Sequence, residues 1–218
     1  MKKKYLLFDV DGTLTDPMVG ITKSVQYALR SYGIDVEDLN QLCSFIGPPL
    51  KDSFMEYYGF DEDRAMEAIG RYREYFRETG IFENEVYPGI ERLLGKLKAE
   101  GRSLMTASSK PEVFVRRILE HFHLDAYFDF IGGADLEETR VKKADVIRYV
   151  MEETGISDPE QVIMIGDREH DILGAKEVGI ESLGVLYGYG SREELTEAGA
   201  DYIIDTVDNL TVFWENES

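Results

Sequence analysis

The sequence predicts an α/β protein, a parallel sheet covered by helices on both faces, with a helical segment inserted after the first strand. Three observations carry this reading. Short apolar runs alternate with amphipathic stretches in the first and last parts of the chain; residues 17–82 show helical spacing and no strand-like alternation; and acidic clusters follow two of the apolar runs directly. Strands that alternate with helices build parallel sheets. A crossover between parallel strands needs only about a dozen residues, so the excess in 17–82 is a small domain of its own. The expected division is therefore 1–16 together with 83–218, and 17–82.

The apolar run YLLF (5–8) is the first strand, and it leads straight into Asp9. Within the insertion, Ile21, Val25, Ala28, Leu29 and Tyr32 mark one helical stripe, ended by Gly33. Leu39, Leu42, Phe45 and Ile46 mark a second, broken by Gly47, Pro48 and Pro49. Phe54, Met55 and Tyr58 mark a third, and Ala65, Ile69, Tyr72 and Phe76 a fourth, closed by Gly80. Pro88 opens the next helix, with Ile90, Leu93, Leu94 and Leu97 on its apolar face, and Gly101 closes it. The runs SLMTA (103–107), FDFI (128–131), VIMI (162–165), ESLGVL (181–186) and DYIID (201–205) read as strands. Between them lie helical patterns through Val113, Ile118 and Leu119, then through Val146, Ile147 and Val150.

The chain has 218 residues, 43 acidic and 24 basic, for a formal net charge of −19. A surface so acidic repels phosphate backbones and anionic lipid, which argues against nucleic-acid and membrane-surface partners. An anionic small substrate would need a local cationic pocket. A single cysteine, Cys43, excludes an intramolecular disulfide and a multi-cysteine zinc site, and suits the cytosol. The stretch before Asp9 is too short for a signal-peptide core, and no run reaches the roughly 20 apolar residues of a membrane span. A cytoplasmic protein is expected.

FDVDGTLTD (8–16) holds the first chemistry. Residues two apart on a strand share a side, so Asp9 and Asp11 point together as the strand ends, where open α/β sheets bind ligands. Gly12 permits a sharp turn and a close approach of backbone to ligand. A capped turn is the plainer reading of such a stretch, but burying paired carboxylates behind an apolar strand is costly without a purpose. An EF-hand loop from Asp9 fails, because Leu14 and Gly20 stand where Gly and Glu are required. VIMIGDREHD repeats the theme with Asp167 and Asp171, four residues apart and on one side of a helix begun there; Asp171 is alternatively the N-cap of a helix from Ile172. Two strand ends supplying only oxygen ligands favour Mg²⁺. Ser108, Ser109 and Lys110 end the SLMTA strand before Pro111, a helix start that suits an anion. Lys142 and Lys143 open a later helix, Lys142 reading as a solvated lysine.

In this order, these pieces resemble the haloacid dehalogenase (HAD) superfamily of phosphatases. FDVDGTLTD is similar to its first motif, Ser108 of TASSKP to the second-motif hydroxyl, Lys143 of VKKAD to the third-motif lysine, and GDREHD to the fourth motif. GPPL (47–50), GDREHDI and YGYGSREEL are similar to the phosphoglycolate-phosphatase-like group, with its bacterial 5′-nucleotidase-like members. The resemblance implies a Rossmann-like core with an inserted helical cap of the first type (C1) that closes over the site. It implies Asp9 as nucleophile and Asp11 as acid/base. It also implies Mg²⁺ held by Asp9, the Asp11 carbonyl, Asp167 and Asp171, and phosphate contacts from Gly12, Ser108, Ser109 and Lys143. The expected activity is hydrolysis of a small phosphorylated metabolite by a monomer, through an aspartyl-phosphate. A phosphomutase and a non-catalytic phospho-aspartate switch are the alternatives, and the substrate stays open among phosphoglycolate, nucleoside monophosphates and sugar phosphates. The Ser108–Ser109 pair departs from the commoner Thr-Asn or Thr-Ser but keeps the hydroxyl.

Other features read more plainly. YGYGS (187–191) lacks the third glycine of a dinucleotide site and reads as a flexible loop into a capping box with Ser191 and Glu194. His121 and His123 share no helix face, His170 is expected exposed, and Lys51 reads as a solvated helix lysine rather than a Schiff-base lysine. Tyr57, Tyr58, Tyr72 and Tyr75 read as core packing first and nucleobase stacking second. Asp16 reads as a hinge or turn residue.

Overall fold

The computed structural model describes residues 3–137 and 139–216, with the side chain of Asn216 left aside. In chain order, β1 (Tyr5–Phe8) and β2 (Thr15–Asp16) precede α1 (Met18–Arg30), a 3₁₀ stretch at Leu39–Phe45, α2 (Leu50–Tyr58) and α3 (Glu62–Glu78). Then follow β3 (Glu85–Val86), α4 (Ile90–Ala99), β4 (Ser103–Pro111), α5 (Glu112–His121), β5 (Phe130–Ala134) and α6 (Lys143–Glu153). The last part is β6 (Val162–Gly166), α7 (Glu169–Val178), β7 (Glu181–Val185), α8 (Arg192–Ala198), β8 (Tyr202–Ile204) and α9 (Val207–Asn216). The chain divides into two compact units, residues 1–16 with 86–218, and residues 17–85.

The larger unit is a Rossmann-like α/β fold. Its six-stranded sheet has the order β5-β4-β1-β6-β7-β8, and each neighbouring pair is parallel. From β1 the chain builds outward through β4 to β5, then returns to the other side of β1 with β6. Such a reversal opens a crevice at the carboxyl ends of the strands. β1 is central and fully apolar, so Leu6, Leu7 and Phe8 are wholly buried. One layer of the core joins Leu7, Met105 and Met164 of the sheet to Val146, Ile147 and Val150 of α6. The guanidinium of buried Arg102 lies 4.6 Å from the ring centroid of buried Trp214, which seats α9, an element the sequence reading left out.

Two local differences from the sequence reading have physical reasons. The fifth strand covers Phe130–Ala134 instead of 128–131. Its glycines mask it, since Gly weakens strand signals; Gly132 is required because a Cβ there would overlap Val150. On α5 the buried stripe is Phe114, Val115, Ile118 and Leu119, while Val113 is exposed, five positions from Ile118 and so off that face.

The smaller unit is helical. α1 buries Ile21, Val25, Ala28 and Leu29, and α3 buries Ala65, Ile69, Tyr72 and Phe76. Asp61 caps α3 by accepting the Arg64 N–H at 2.9 Å, and Gly59 closes α2 in the left-handed region. The second stripe folds as a 3₁₀ helix rather than an α-helix, stopped by the GPP that follows. Phe45 sits edge-on to Phe54 at 5.0 Å, and Tyr72 stacks on Phe76. Tyr72 is thus a packing residue, and Tyr57, though 43% exposed, packs edge-on against Phe45 at 5.5 Å. Lys51 forms an ion pair with Glu62. Among the described residues, no helix is long and apolar enough to cross a membrane.

Ile147 tests the core seat of α6. Ile147→Ala should lower unfolding stability in urea by about 2–5 kcal/mol, as buried aliphatic truncations do. A loss well under about 1 kcal/mol would contradict the packing of α6 on the sheet.

Candidate active site

Three strand ends of the larger unit bring the acidic and basic groups together. The Asp9 N–H bonds to the Ile165 carbonyl at 2.9 Å, which holds the turn after β1 against β6. Val10 then accepts from Leu14 and Thr15, curling the chain tightly over Asp11–Thr13. Gly12 has φ +81°, and a Cβ there would overlap the Asp167 carboxylate. Both constraints demand glycine, the second being a close approach no sequence pattern displays.

Lys143, the first residue of α6, is buried at the centre of the cluster. Its ammonium lies 3.1 Å from Asp9 Oδ2 and 2.8 Å from Asp171 Oδ1, and donates to the Ala107 carbonyl at 2.9 Å. Burial opposes its charge, but the Asp171 and Asp9 carboxylates prevail and hold it above its ordinary range. The second ammonium is Lys110, 2.8 Å from Asp11 Oδ2. Asp11 titrates higher than an ordinary carboxyl because burial outweighs Lys110. Its Oδ1 is buried without a hydrogen-bond partner among the described residues.

Asp167, directly after β6, is fully buried. Its Oδ2 accepts the Tyr189 N–H at 2.7 Å, and its Oδ1 accepts from the Thr13 hydroxyl at 3.4 Å. Burial first, and the Asp171 charge second, push its carboxyl well above the usual range. Asp171 is not the N-cap of α7. The helix begins at Glu169, Asp171 is its third residue, and the carboxylate accepts the Arg168 N–H at 3.1 Å. Burial raises it to about 6 against the opposing pull of Lys143.

Asp9, Asp167 and Asp171 each offer an oxygen, and the three oxygens lie within 4.8 Å of one another. The Asp11 carboxylate is not in that group, being turned to Lys110. Four carboxyl groups face two ammoniums, so full ionisation would leave two negative charges uncompensated in a buried site. An all-oxygen donor set with that deficit fits a hard divalent cation. Ser108 is buried, with its hydroxyl accepting the Lys110 N–H at 3.3 Å, and Ser109 is half-buried beside it. Lys142 is exposed.

Several contributors have little sequence signal. Lys110, which the sequence places with Ser108 and Ser109 at an anion-suited strand end, pairs with Asp11, and nothing in the sequence names that partner. The glycines of YGYGS lie close against Gly12 and Asp167; its Ser191 caps the next helix by accepting the Glu194 N–H, while the Glu194 carboxylate bonds to Arg168 and Glu169 instead of completing the capping box. Asp16 lies in β2 and accepts the Tyr189 hydroxyl. His170 is half-buried.

The family profile described as haloacid dehalogenase-like hydrolase matches residues 6–185. The chain belongs to this family. A 5′-nucleotidase of Pseudomonas aeruginosa is 52% identical over 190 residues, 87% of this chain and 86% of its own length. The crystal structure of "a predicted phosphatase from Clostridium acetobutylicum" has a TM-score of 0.97 and 54% identity, covering 99% of this chain and 100% of that one. Tyrosine-protein kinase PtkA of Mycobacterium tuberculosis is 35% identical over 207 residues, 94% of this chain and 70% of its own. This HAD-type hydrolase is therefore an enzyme with phosphatase relatives across nearly its whole length.

The buried carboxyls set a pH dependence. Asp167 and Asp171 titrate higher folded than their ordinary 3.8, so the folded state holds more protons over a window that reaches about 6 for Asp171. Their contribution to stability is full below that window and is lost as pH rises through it. In chelator, Asp167→Asn should be more stable than the parent at pH 7, with the gap closing toward pH 4, as read by urea titration. Lys143→Met should cost about 3–5 kcal/mol at pH 7 under the same assay, because it strands Asp9 and Asp171.

Proposed function

We infer that the protein is a Mg²⁺-dependent phosphomonoesterase that acts on a small phosphorylated metabolite, of 5′-nucleotidase-like or phosphoglycolate-phosphatase-like kind. The observation that carries this is the convergence of Asp9, Asp11, Asp167 and Asp171 with two buried lysines at the carboxyl ends of β1, β4 and β6. The family membership and the phosphatase relatives support it.

Asp9 is the nucleophile. An Asp9 oxygen bonds to phosphorus as the ester P–O bond breaks, forming an aspartyl-phosphate. Asp11 donates its proton to the departing oxygen; its raised titration keeps that proton available, and its unpartnered Oδ1 is the oxygen open to carry it. In the second half, a water oxygen attacks phosphorus, Asp11 takes the water proton, and the P–O bond to Asp9 breaks to regenerate the carboxylate and free phosphate. Lys143 orients Asp9 through the 3.1 Å ion pair and, with Ser108, Ser109 and the backbone at Gly12, offsets charge on the phosphoryl oxygens. Mg²⁺ held by Asp9, Asp167, Asp171 and the Asp11 main chain would supply screening between the nucleophile's charge and that of the phosphate. By its resemblance to the family, the helical unit is read as the cap. The enzyme is read as a cytoplasmic monomer.

Asp9→Asn should lower phosphate release from an aryl phosphate by more than about a thousandfold, as loss of a covalent nucleophile does. The same assay in chelator should show activity restored on adding Mg²⁺. Turnover retained by Asp9→Asn would refute the mechanism.

A further inference from the structure

The acidic centre is braced by a segment to which catalysis assigns no task, Tyr187–Glu194. The Tyr187 hydroxyl donates to the Thr13 carbonyl at 3.1 Å, inside the turn that carries Asp9 and Asp11. The Tyr189 N–H donates to Asp167 Oδ2 at 2.7 Å, and the Tyr189 hydroxyl donates to Asp16. Glu194 Oε1 accepts from Arg168 Nε and from the Glu169 N–H, both at 2.8 Å, so it holds the two residues after Asp167. The Tyr187 ring in turn packs edge-on against Tyr87 at 5.1 Å.

The two glycines between these contacts are required by space. A Cβ on Gly188 would overlap the Gly12 carbonyl, and one on Gly190 would overlap the Asp167 carbonyl. The backbone of this segment therefore lies flush against both acidic turns, and only glycine lets it do so. A carboxylate whose rotation is free pays an ordering cost whenever it takes up a ligand; one held by an N–H on a single oxygen does not.

We propose that Tyr187–Glu194 is a positioning strap. It fixes the rotation of Asp167 through the Tyr189 N–H and the spacing of the two acidic turns through Tyr187, and so sets the affinity of the centre for a divalent cation. Tyr187, Gly188 and Gly190 are positioning residues, acting through Asp167 and Thr13 instead of touching substrate. This rests on reading the acidic centre as a Mg²⁺ site.

The test is Mg²⁺ titration calorimetry on the intact protein, with the metal-free melting midpoint measured alongside. Gly188→Ala and Tyr187→Phe should each weaken Mg²⁺ binding by about tenfold or more, the range for partners that orient metal ligands. A segment that only contributes packing would shift the metal-free midpoint and leave Mg²⁺ affinity at the parent value, and that result overturns the proposal. If Gly188→Ala does not fold, Tyr187→Phe, which removes one hydroxyl and keeps the ring, decides alone. Absence of Mg²⁺ binding by the parent protein would instead refute the metal reading, and the strap's role with it.

Discussion

Lys143 joins Asp9 to Asp171 through one buried ammonium, and the rest of the centre depends on that pairing. Carboxylates removed from water are costly unless paired, and breaking one buried pair leaves a charge with nothing to offset it. Lys143 spends its donors on two carboxylates and the Ala107 carbonyl, so α6, β4, the turn after β1 and α7 all meet at one nitrogen. Lys110 performs the same service for Asp11 alone. Asp167 is held instead by an N–H and a hydroxyl.

The scaffold makes this cluster tolerable. A parallel sheet flanked by helices buries its strands, and the reversal of strand order beside β1 opens a crevice at the strand ends. The apolar layer from Leu7 to Ile147 and Val150 sits immediately beneath the charges. Hydrophobic burial there offsets the cost of the acidic cluster, so a site that opposes folding is carried by a core that drives it. Catalytic preorganisation and local instability are in this respect the same property.

Much of the fold was legible because period-two and 3.6-residue patterns are local. The first, fourth and sixth strands and the stripes of α1, α3, α4 and α6 follow from them. Where structure and pattern differ, the local signal is weak or misphased: the glycines of β5, Val113 on α5, and the 3₁₀ stretch at Leu39–Phe45. The acidic residues were legible because DxDG and GDxxxD place carboxylates directly after apolar runs. The N-cap alternative for Asp171 fails because the cap and the third helical residue both favour Asp, and only the start of α7 at Glu169 separates them.

By itself the sequence determined the α/β class, the helical insertion and the identities of the acidic residues, since each is written in neighbouring positions. Tertiary structure alone decided who pairs with whom. Lys110 faces Asp11 while Lys143 bridges Asp9 and Asp171, and Tyr189 reaches Asp167 across 22 positions of chain. Those pairings depend on strand order and crossover direction, which bring distant loops to one edge of the sheet. The glycines of YGYG show the same limit: their need is set by the atoms that face them, and these belong to other loops.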